Sequence, residues 1–249
     1  MEIKAEKITP YGSNDPKSRQ VEAMFDNIAP AYDFMNRAMT FGVDRSWRRK
    51  VVRAIAADSP AALLDVATGT GDMALQLARA IPGCRITGVD LSEGMLSVGR
   101  RKIQEAGLAN RITLTKGDCL ALPFPDDTFD AVTVAFGVRN FEHLDRGYAE
   151  MARVLRPGGK LYVIELSTPT SPLIRPFYRL YTRWIIPAAG RLVSKDVSAY
   201  SYLPASIAAM PQGDRMLSLM TGAGLEAPAL RPLTFGVCTI YTAVKPARQ

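Results

Sequence analysis

The sequence LLDVATGTGDMA, residues 63–74, is the strongest indication of the fold class. It begins with a short, continuously apolar run and reaches Gly69 and Gly71 where a helical pattern starts. Glycines at a strand-to-helix turn let the backbone turn tightly and approach a ligand, and the helix N-terminus offers unpaired N–H groups. The stretch therefore predicts a buried strand, a ligand-binding turn and a helix, in that order.

The residues on either side repeat this alternation. The predicted elements are strands at 62–67, 84–90, 111–118, 129–137 and 159–167, and helices at 73–81, 93–107 and 144–155. Runs that are apolar on both faces and alternate with helices are typical of a parallel sheet covered on both sides, so the fold class is α/β. The last two runs, 225–233 and 237–245, predict an antiparallel hairpin.

The whole chain, 1–249, is predicted to form one domain, since α/β folds commonly reach roughly 200–250 residues as a single unit. Short helical patterns precede the sheet, and helical patterns return between 172 and 222. The predicted parts are an N-terminal arm and helical cap (1–58, with a loose arm over 1–18), a nucleotide-binding core (59–167), a helical lid insertion (168–223) and a closing hairpin (224–249).

Three acids near the ends of the first three strands favour a cationic nucleotide. Asp65 lies within the first strand, Asp90 ends the second and Asp118 ends the third. The glycine turn alone also suits a dinucleotide, but carboxylates beside it would repel a pyrophosphate and attract a sulfonium. We therefore expect S-adenosylmethionine as the cofactor. The alternative is a structural role for each residue: turn geometry, a helix N-cap at Asp90 and a loop acid at Asp118.

Composition excludes several classes of protein. The 249 residues are 47% hydrophobic, which indicates a folded globular chain. Cys84, Cys119 and Cys238 have neither disulfide nor zinc-site spacing, and a single histidine, His143, argues against a histidine metal centre or a serine-histidine triad. We expect no metal. Without a signal peptide or an apolar run of about 18–20 residues, the expected location is cytoplasmic.

Three longer stretches point to one family. They are AYDFMNRAMTFGVDRSWRR (31–49), ALPFPDDTFDAVTVAFGVRNF (121–141) and RVLRPGGKL (153–161). From about Val21 onward the chain resembles the ubiquinone/menaquinone biosynthesis C-methyltransferase family, most closely its demethylmenaquinone methyltransferase members. The resemblance implies a Rossmann-like class I methyltransferase fold and S-adenosylmethionine-dependent C-methylation of a prenylated hydroquinol. The implied substrate is demethylmenaquinol or, alternatively, the benzoquinol intermediate of ubiquinone biosynthesis.

The same resemblance assigns cofactor-binding residues. It implies binding through Thr70 and the neighbouring backbone, Asp90 on the ribose, and Asp118 with Cys119 near the adenine. Some members differ at four positions. They have Ser where this chain has Thr40, His where it has Asp44, Gly where it has Thr68 and Ser where it has Ala135. A hydroxyl contact at position 135 is therefore absent.

Methylation of a ring carbon needs an electron-rich ring, which a hydroquinol supplies as a hydroxyl loses its proton. Arg139 and Asn140 follow the fourth strand, at the edge where parallel sheets place their chemistry. Because a guanidinium stays protonated, Arg139 is predicted to hold the developing oxyanion, with Asn140 as a hydrogen-bonding neighbour. His143 is either a proton relay or a solvated residue at the next helix start. Three tyrosines either line the substrate cavity or only pack: Tyr32, Tyr200 and Tyr202.

Two arginine-rich segments, 37–53 and 172–195, concentrate the net charge of +7. In LIRPFYRLYTRWII (173–186), helical spacing puts Arg175, Arg179 and Arg183 on one face and Leu173, Phe177, Leu180 and Trp184 on another. This predicts either peripheral contact with the anionic inner face of the cytoplasmic membrane or a lid packed on the core. A nucleic-acid-binding or nucleic-acid-modifying protein is the alternative class; otherwise no nucleic-acid partner is expected. A homodimer is left open.

Overall fold

Seven strands form one sheet whose first five strands run parallel. The structure is a computed structural model, and it describes residues 3–185 and 197–247. The strands are β1 (Ala62–Val66), β2 (Arg85–Asp90), β3 (Ile112–Lys116), β4 (Phe129–Ala135), β5 (Leu155–Leu166), β6 (Glu226–Leu233) and β7 (Cys238–Val244). Their order across the sheet is β3-β2-β1-β4-β5-β7-β6, and β7 is antiparallel to both neighbours. The predicted parallel core and closing hairpin are confirmed.

Helices flank the sheet and cap one edge of it. They are α1 (Lys4–Lys7), α2 (Lys17–Ile28), α3 (Tyr32–Thr40), α4 (Val43–Ala57), α5 (Asp72–Ala80), α6 (Glu93–Glu105), α7 (Leu144–Val154), α8 (Arg175–Leu180), α9 (Val197–Ala209) and α10 (Asp214–Gly222). Pro30 lies in a 3₁₀ turn between α2 and α3. No helix within 3–185 or 197–247 is long and apolar enough to span a bilayer.

Two apolar cores lie on opposite faces of the sheet, as a strand buried on both faces requires. Leu63 and Ala131 belong to the core that α4 and α5 cover, whereas Leu64 and Val132 belong to the core under α7 and α10. One boundary differs from the sequence analysis: β5 begins at Leu155, not at 159, because Leu155 pairs with Phe129 ahead of a register shift.

A third apolar cluster joins the N-terminal helices to α9. Its buried members are Val21, Met24, Ile28, Met35, Ala199, Tyr200 and Tyr202. The prediction of a loose arm over 1–18 is wrong in part. Residues Lys4–Lys7 form a helix whose Ala5 is fully buried, and the Lys17 ammonium donates to the carbonyl oxygens of Ala5 (2.7 Å) and Arg139 (3.1 Å).

The amphipathic segment is shorter than its pattern predicts. The α-helix ends at Leu180, and Tyr181–Ile185 continues as a π-helix; residues 186–196, including Arg191 and Lys195, lie outside the described residues. The four residues of the apolar stripe are all exposed: Leu173, Phe177, Leu180 and Trp184. In this structure the stripe therefore does not pack on the core.

Candidate active site

The glycine turn after β1 forms one wall of a cavity at the carboxyl edge of the sheet. Gly69 and Gly71 have φ of 56° and 75°, a backbone region that favours glycine, and Gly71 is the N-cap of α5. This first cavity is lined by four predicted cofactor residues: Gly69, Asp90, Asp118 and Cys119. Helix α2 also lines this cavity.

Asp90 ties the turn to the second strand. Its Oδ2 accepts the Gly69 N–H at 2.8 Å and its Oδ1 accepts the Ser92 N–H at 2.9 Å. Burial raises the pKa of Asp90 to about 6. Because each carboxylate oxygen has more than one lone pair, Asp90 can still accept a hydrogen bond from a ligand hydroxyl.

Three predicted cofactor residues do not line the first cavity. The Thr70 hydroxyl donates to Asp33 Oδ1 at 2.6 Å, and Gly71 faces α6 and β3. Asp65 is fully buried and its Oδ2 accepts the Thr68 hydroxyl at 2.6 Å, while its Oδ1 has no partner among the described residues. Burial raises the pKa of Asp65 to about 7.

The charge of the first cavity decides which nucleotide fits it. Of the described residues, those lining it include four carboxylates and no lysine, arginine or histidine; the carboxylates are Glu22, Asp90, Asp118 and Glu142. Burial raises the pKa of Cys119 well above its ordinary value, so that thiol adds no charge. These carboxylates would repel a pyrophosphate, whereas the sulfonium and ammonium of S-adenosylmethionine fit this lining.

A second cavity, of about 380 Å³, opens beside the first and has mainly apolar walls. It lies between α3, α4, α8, α9 and the loop before β7. Tyr32 and Phe136 line both cavities, so the two meet at these side chains. Burial raises the pKa of Tyr32, which keeps its hydroxyl protonated.

The predicted catalytic pair lies on either side of this junction. Arg139 lines the second cavity and Asn140 the first. Arg139 Nη1 donates to Glu165 Oε1 at 2.8 Å and to the carbonyl of Phe136, and its Nε has no partner among the described residues. Burial alone would lower the pKa of Arg139, but the neighbouring groups, with the Glu165 carboxylate foremost, together more than offset it and raise the pKa. Arg139 therefore stays a cation.

The structure places His143 and the two remaining tyrosines in different environments. His143 is an exposed N-cap of α7 and lines neither cavity, which matches its interpretation as a solvated residue. Tyr200 and Tyr202, on α9, pack against the N-terminal helices, and the Tyr202 hydroxyl donates to Asn140 Oδ1 at 3.1 Å.

Sequence reasoning missed three charged residues of this region. Glu165 holds Arg139, and Asp44 and Arg48 form a buried ion pair that lines the second cavity. A single charged residue in the apolar run LYVIEL (161–166), near the end of β5, was a signal for Glu165. Arg48 belongs to the arginine-rich segment 37–53, yet it is buried, with its carbon Cζ 5.0 Å from the Phe136 ring centroid.

Comparison with known proteins agrees with this geometry. The sequence profile of the ubiE/COQ5 methyltransferase family matches residues 13–245. A demethylmenaquinone methyltransferase of Bacteroides fragilis is 48% identical over 98% of this chain and 100% of its own length. The ubiquinone/menaquinone biosynthesis C-methyltransferase UbiE of Geobacter sulfurreducens is 46% identical over 98% of this chain and 95% of its own length.

A solved structure shows the same fold. An O-methyltransferase family protein from Burkholderia thailandensis superimposes with a TM-score of 0.67 at 16% identity, over 96% of this chain and 67% of its own. The sheet order, the acidic cavity at the glycine turn and the family match over nearly the whole chain lead to one assignment. The chain belongs to the ubiE/COQ5 methyltransferase family.

Proposed function

We propose that the protein transfers a methyl group from S-adenosylmethionine to a ring carbon of a prenylated hydroquinol. The favoured substrate is demethylmenaquinol, which would become menaquinol; the benzoquinol intermediate of ubiquinone biosynthesis is the second candidate. The observation that carries the proposal is that an acidic cavity meets an apolar cavity at Tyr32 and Phe136. The names of the curated relatives support the same substrate class.

The first cavity is the proposed cofactor site. Asp90 would accept hydrogen bonds from the ribose, and Asp118 with Cys119 would lie near the adenine. Gly69 would present backbone to the ligand, while Asp65, Thr70 and Gly71 would shape the turn from behind. When bound, S-adenosylmethionine supplies an electrophilic methyl group on a sulfonium sulfur.

Arg139 and Asn140 are the proposed catalytic residues. The Arg139 guanidinium is fixed by Glu165 and lines the substrate cavity, so it can stabilise a quinolate oxygen without reorganising. Asn140, across the junction, can donate a hydrogen bond from its amide because its Oδ1 already accepts from Tyr202. The apolar walls exclude water from the electron-rich ring.

We further propose that the mouth of the second cavity meets a lipid surface, where a substrate with a polyprenyl tail would reside. Phe41 and Phe177 line the cavity and yet are 81% and 73% exposed. Phe41 and Phe235 also hold positive φ, a strained backbone region for a bulky residue. The arginine-rich segments that contain Phe41 and Phe177 also carry exposed basic side chains: Arg37, Arg45, Arg49, Arg175, Arg179 and Arg183. Such a surface matches the interface of an anionic bilayer.

The ring type is tested by substrate comparison. Reduced short-chain naphthoquinol and benzoquinol are each incubated anaerobically with S-adenosylmethionine, and methylated product is measured by mass spectrometry. We expect a higher kcat/KM for the naphthoquinol. A higher kcat/KM for the benzoquinol would make the ubiquinone intermediate the proposed substrate. Turnover of neither quinol would refute quinol methylation.

A further inference from the structure

Asp44 presents a carboxylate to the wall of the second cavity. Its side chain is buried; Oδ2 accepts from Arg48 Nη1 and Oδ1 accepts from the Thr40 hydroxyl at 2.9 Å. The same hydroxyl lies 2.7 Å from the Asn36 carbonyl oxygen. Thr40 has one proton and two possible acceptors, and a carboxylate oxygen has two lone pairs. Asp44 Oδ1 can therefore also accept a hydrogen bond from a substrate hydroxyl.

No other described residue of this cavity can act as a base. Its titratable lining consists of Asp44, two arginines and three tyrosines, with no histidine, lysine, cysteine or glutamate among the described residues. Arg48 and Arg139 remain protonated. Burial raises the pKa of Tyr32 and Tyr181, and it raises the pKa of Tyr178 to about 12, so tyrosinate is scarce at neutral pH.

The ion pair also stands close to the junction of the two cavities. Arg48 Cζ lies 5.0 Å from the centroid of the Phe136 ring, and Phe136 lines both cavities. The cation beside Asp44 can therefore compensate negative charge that moves from the carboxylate to a nearby oxygen. The backbone carbonyl of Phe136 accepts a hydrogen bond from Arg139 Nη1.

We propose that Asp44 is the general base that takes the proton of the substrate hydroxyl, an inference that rests on the proposed quinol methylation. The carboxylate gains the proton, and the electron pair of the broken O–H bond stays on the substrate oxygen, which enriches the adjacent ring carbon. After methylation that carbon loses its own hydrogen as a proton to solvent, and Asp44 returns a proton to the oxygen. One proton is released overall.

The test compares Asp44→Asn with the wild type on a tail-less reduced naphthoquinol. General base catalysis contributes roughly 10²–10⁴-fold, so we expect kcat to fall by about 100-fold or more while S-adenosylmethionine affinity stays unchanged. The variant should regain rate as pH rises toward ionisation of the substrate itself, and with a more acidic, halogenated quinol. Asp44→Glu should restore part of the rate.

Two controls separate a base from a structural ion pair. Asp130→Asn also removes a carboxylate paired with an arginine, Arg156, but lies away from both cavities, and it should keep wild-type kcat. If Asp44→Asn does not fold because Arg48 is left unpaired, Asp44→Asn with Arg48→Gln removes both charges and is measured instead. Equal wild-type and variant rates, or a lower rate with unchanged dependence on pH and quinol acidity, would overturn the proposal. Failure of the wild type on every quinol would instead refute the proposed function.

Discussion

Arg139 and Glu165 form a buried ion pair, with 2.8 Å between Nη1 and Oε1, directly beside the junction of the two cavities. Glu165 Oε2 also accepts the backbone N–H of Arg139 at 3.3 Å. The carboxylate therefore fixes both the backbone and the guanidinium of the residue proposed to hold the oxyanion. Glu165 is a positioning residue, and Arg139 is the group that would contact the substrate.

Replacing Arg139 with Lys should lower kcat by roughly 100-fold, since an ammonium keeps the charge but loses the planar fork. Cofactor affinity should change little, because Arg139 does not line the first cavity. Steady-state kinetics and calorimetry on the same preparation measure both. Arg153→Lys, which alters an ion pair outside both cavities, is the matched control. Normal turnover by Arg139→Lys would make Arg139 a structural residue.

Asp90→Asn should weaken S-adenosylmethionine binding by roughly 1.5–3 kcal/mol, the range for hydrogen bonds to a charged group. Asparagine preserves the shape beside the glycine turn and can keep one of the two backbone N–H bonds that Asp90 accepts, from Gly69 and Ser92, whereas alanine would release both. Isothermal titration calorimetry gives the dissociation constant. Unchanged affinity in the variant, or tight binding of NAD by the wild type, would contradict the cofactor assignment.

The elements that follow from periodicity and edge position were predictable. The apolar run at 62–67 forms β1. Asp90 is the last residue of β2 and Asp118 follows β3, so both lie at the edge of the sheet where parallel strands end. Each of those inferences uses only local pattern and the geometry of a parallel sheet.

The contacts between distant segments were not predictable. Asp44 and Arg48 have the spacing of an ordinary surface pair on a helix, yet the folded chain buries both and places the Arg48 guanidinium over the Phe136 ring. Likewise, periodicity identifies the amphipathic stripe near Phe177 but does not say whether another element covers it. Tertiary packing decides both points.

Asp65→Asn should become increasingly stabilising relative to the wild type as pH rises. Burial raises the folded-state pKa of Asp65 to about 7 from an ordinary 3.8, so the folded protein binds more protons than the unfolded chain between these values. Wild-type stability from this group is therefore lost as pH rises through that window. Thermal unfolding measures the free energy of unfolding of both proteins. The difference between variant and wild type should shift by about 1–3 kcal/mol in favour of the variant between pH 5 and pH 8. A pH-independent difference would show that Asp65 does not titrate there.

Gly137→Ala should destabilise the protein by about 1–3 kcal/mol, since overpacking forces neighbours to move. An added Cβ would lie 2.6 Å from the Ala67 Cβ, between the end of β4 and the glycine turn. Gly222→Ala is the matched control, because its Cβ would meet nothing within 4 Å and it ends α10. Urea unfolding of both variants checks the difference. Equal stabilities would mean that the two segments are not in contact.

Leu173→Ser with Trp184→Ser should weaken binding to anionic vesicles and lower activity on a long-tailed quinol. Both side chains are exposed and line neither cavity, so thermal stability and activity on a tail-less quinol should persist. Leu230→Ser, an exposed apolar residue on the edge strand β6, is the control. Vesicle co-sedimentation at several salt concentrations gives the readout. Unchanged vesicle binding would refute the membrane surface, and retention on DNA in its place would favour the nucleic-acid alternative.

Methyl transfer is proposed to join the methyl group of S-adenosylmethionine to a ring carbon of the reduced quinol. It is tested most directly by supplying S-adenosylmethionine with a ¹³C-labelled methyl group and a reduced, short-chain naphthoquinol to the wild type under anaerobic conditions, then locating the label by NMR. The label should appear on the ring carbon, once per molecule, and none should be transferred to the oxidised quinone. Label on a quinol oxygen, or equal labelling of quinone and quinol, would contradict C-methylation of the reduced quinol.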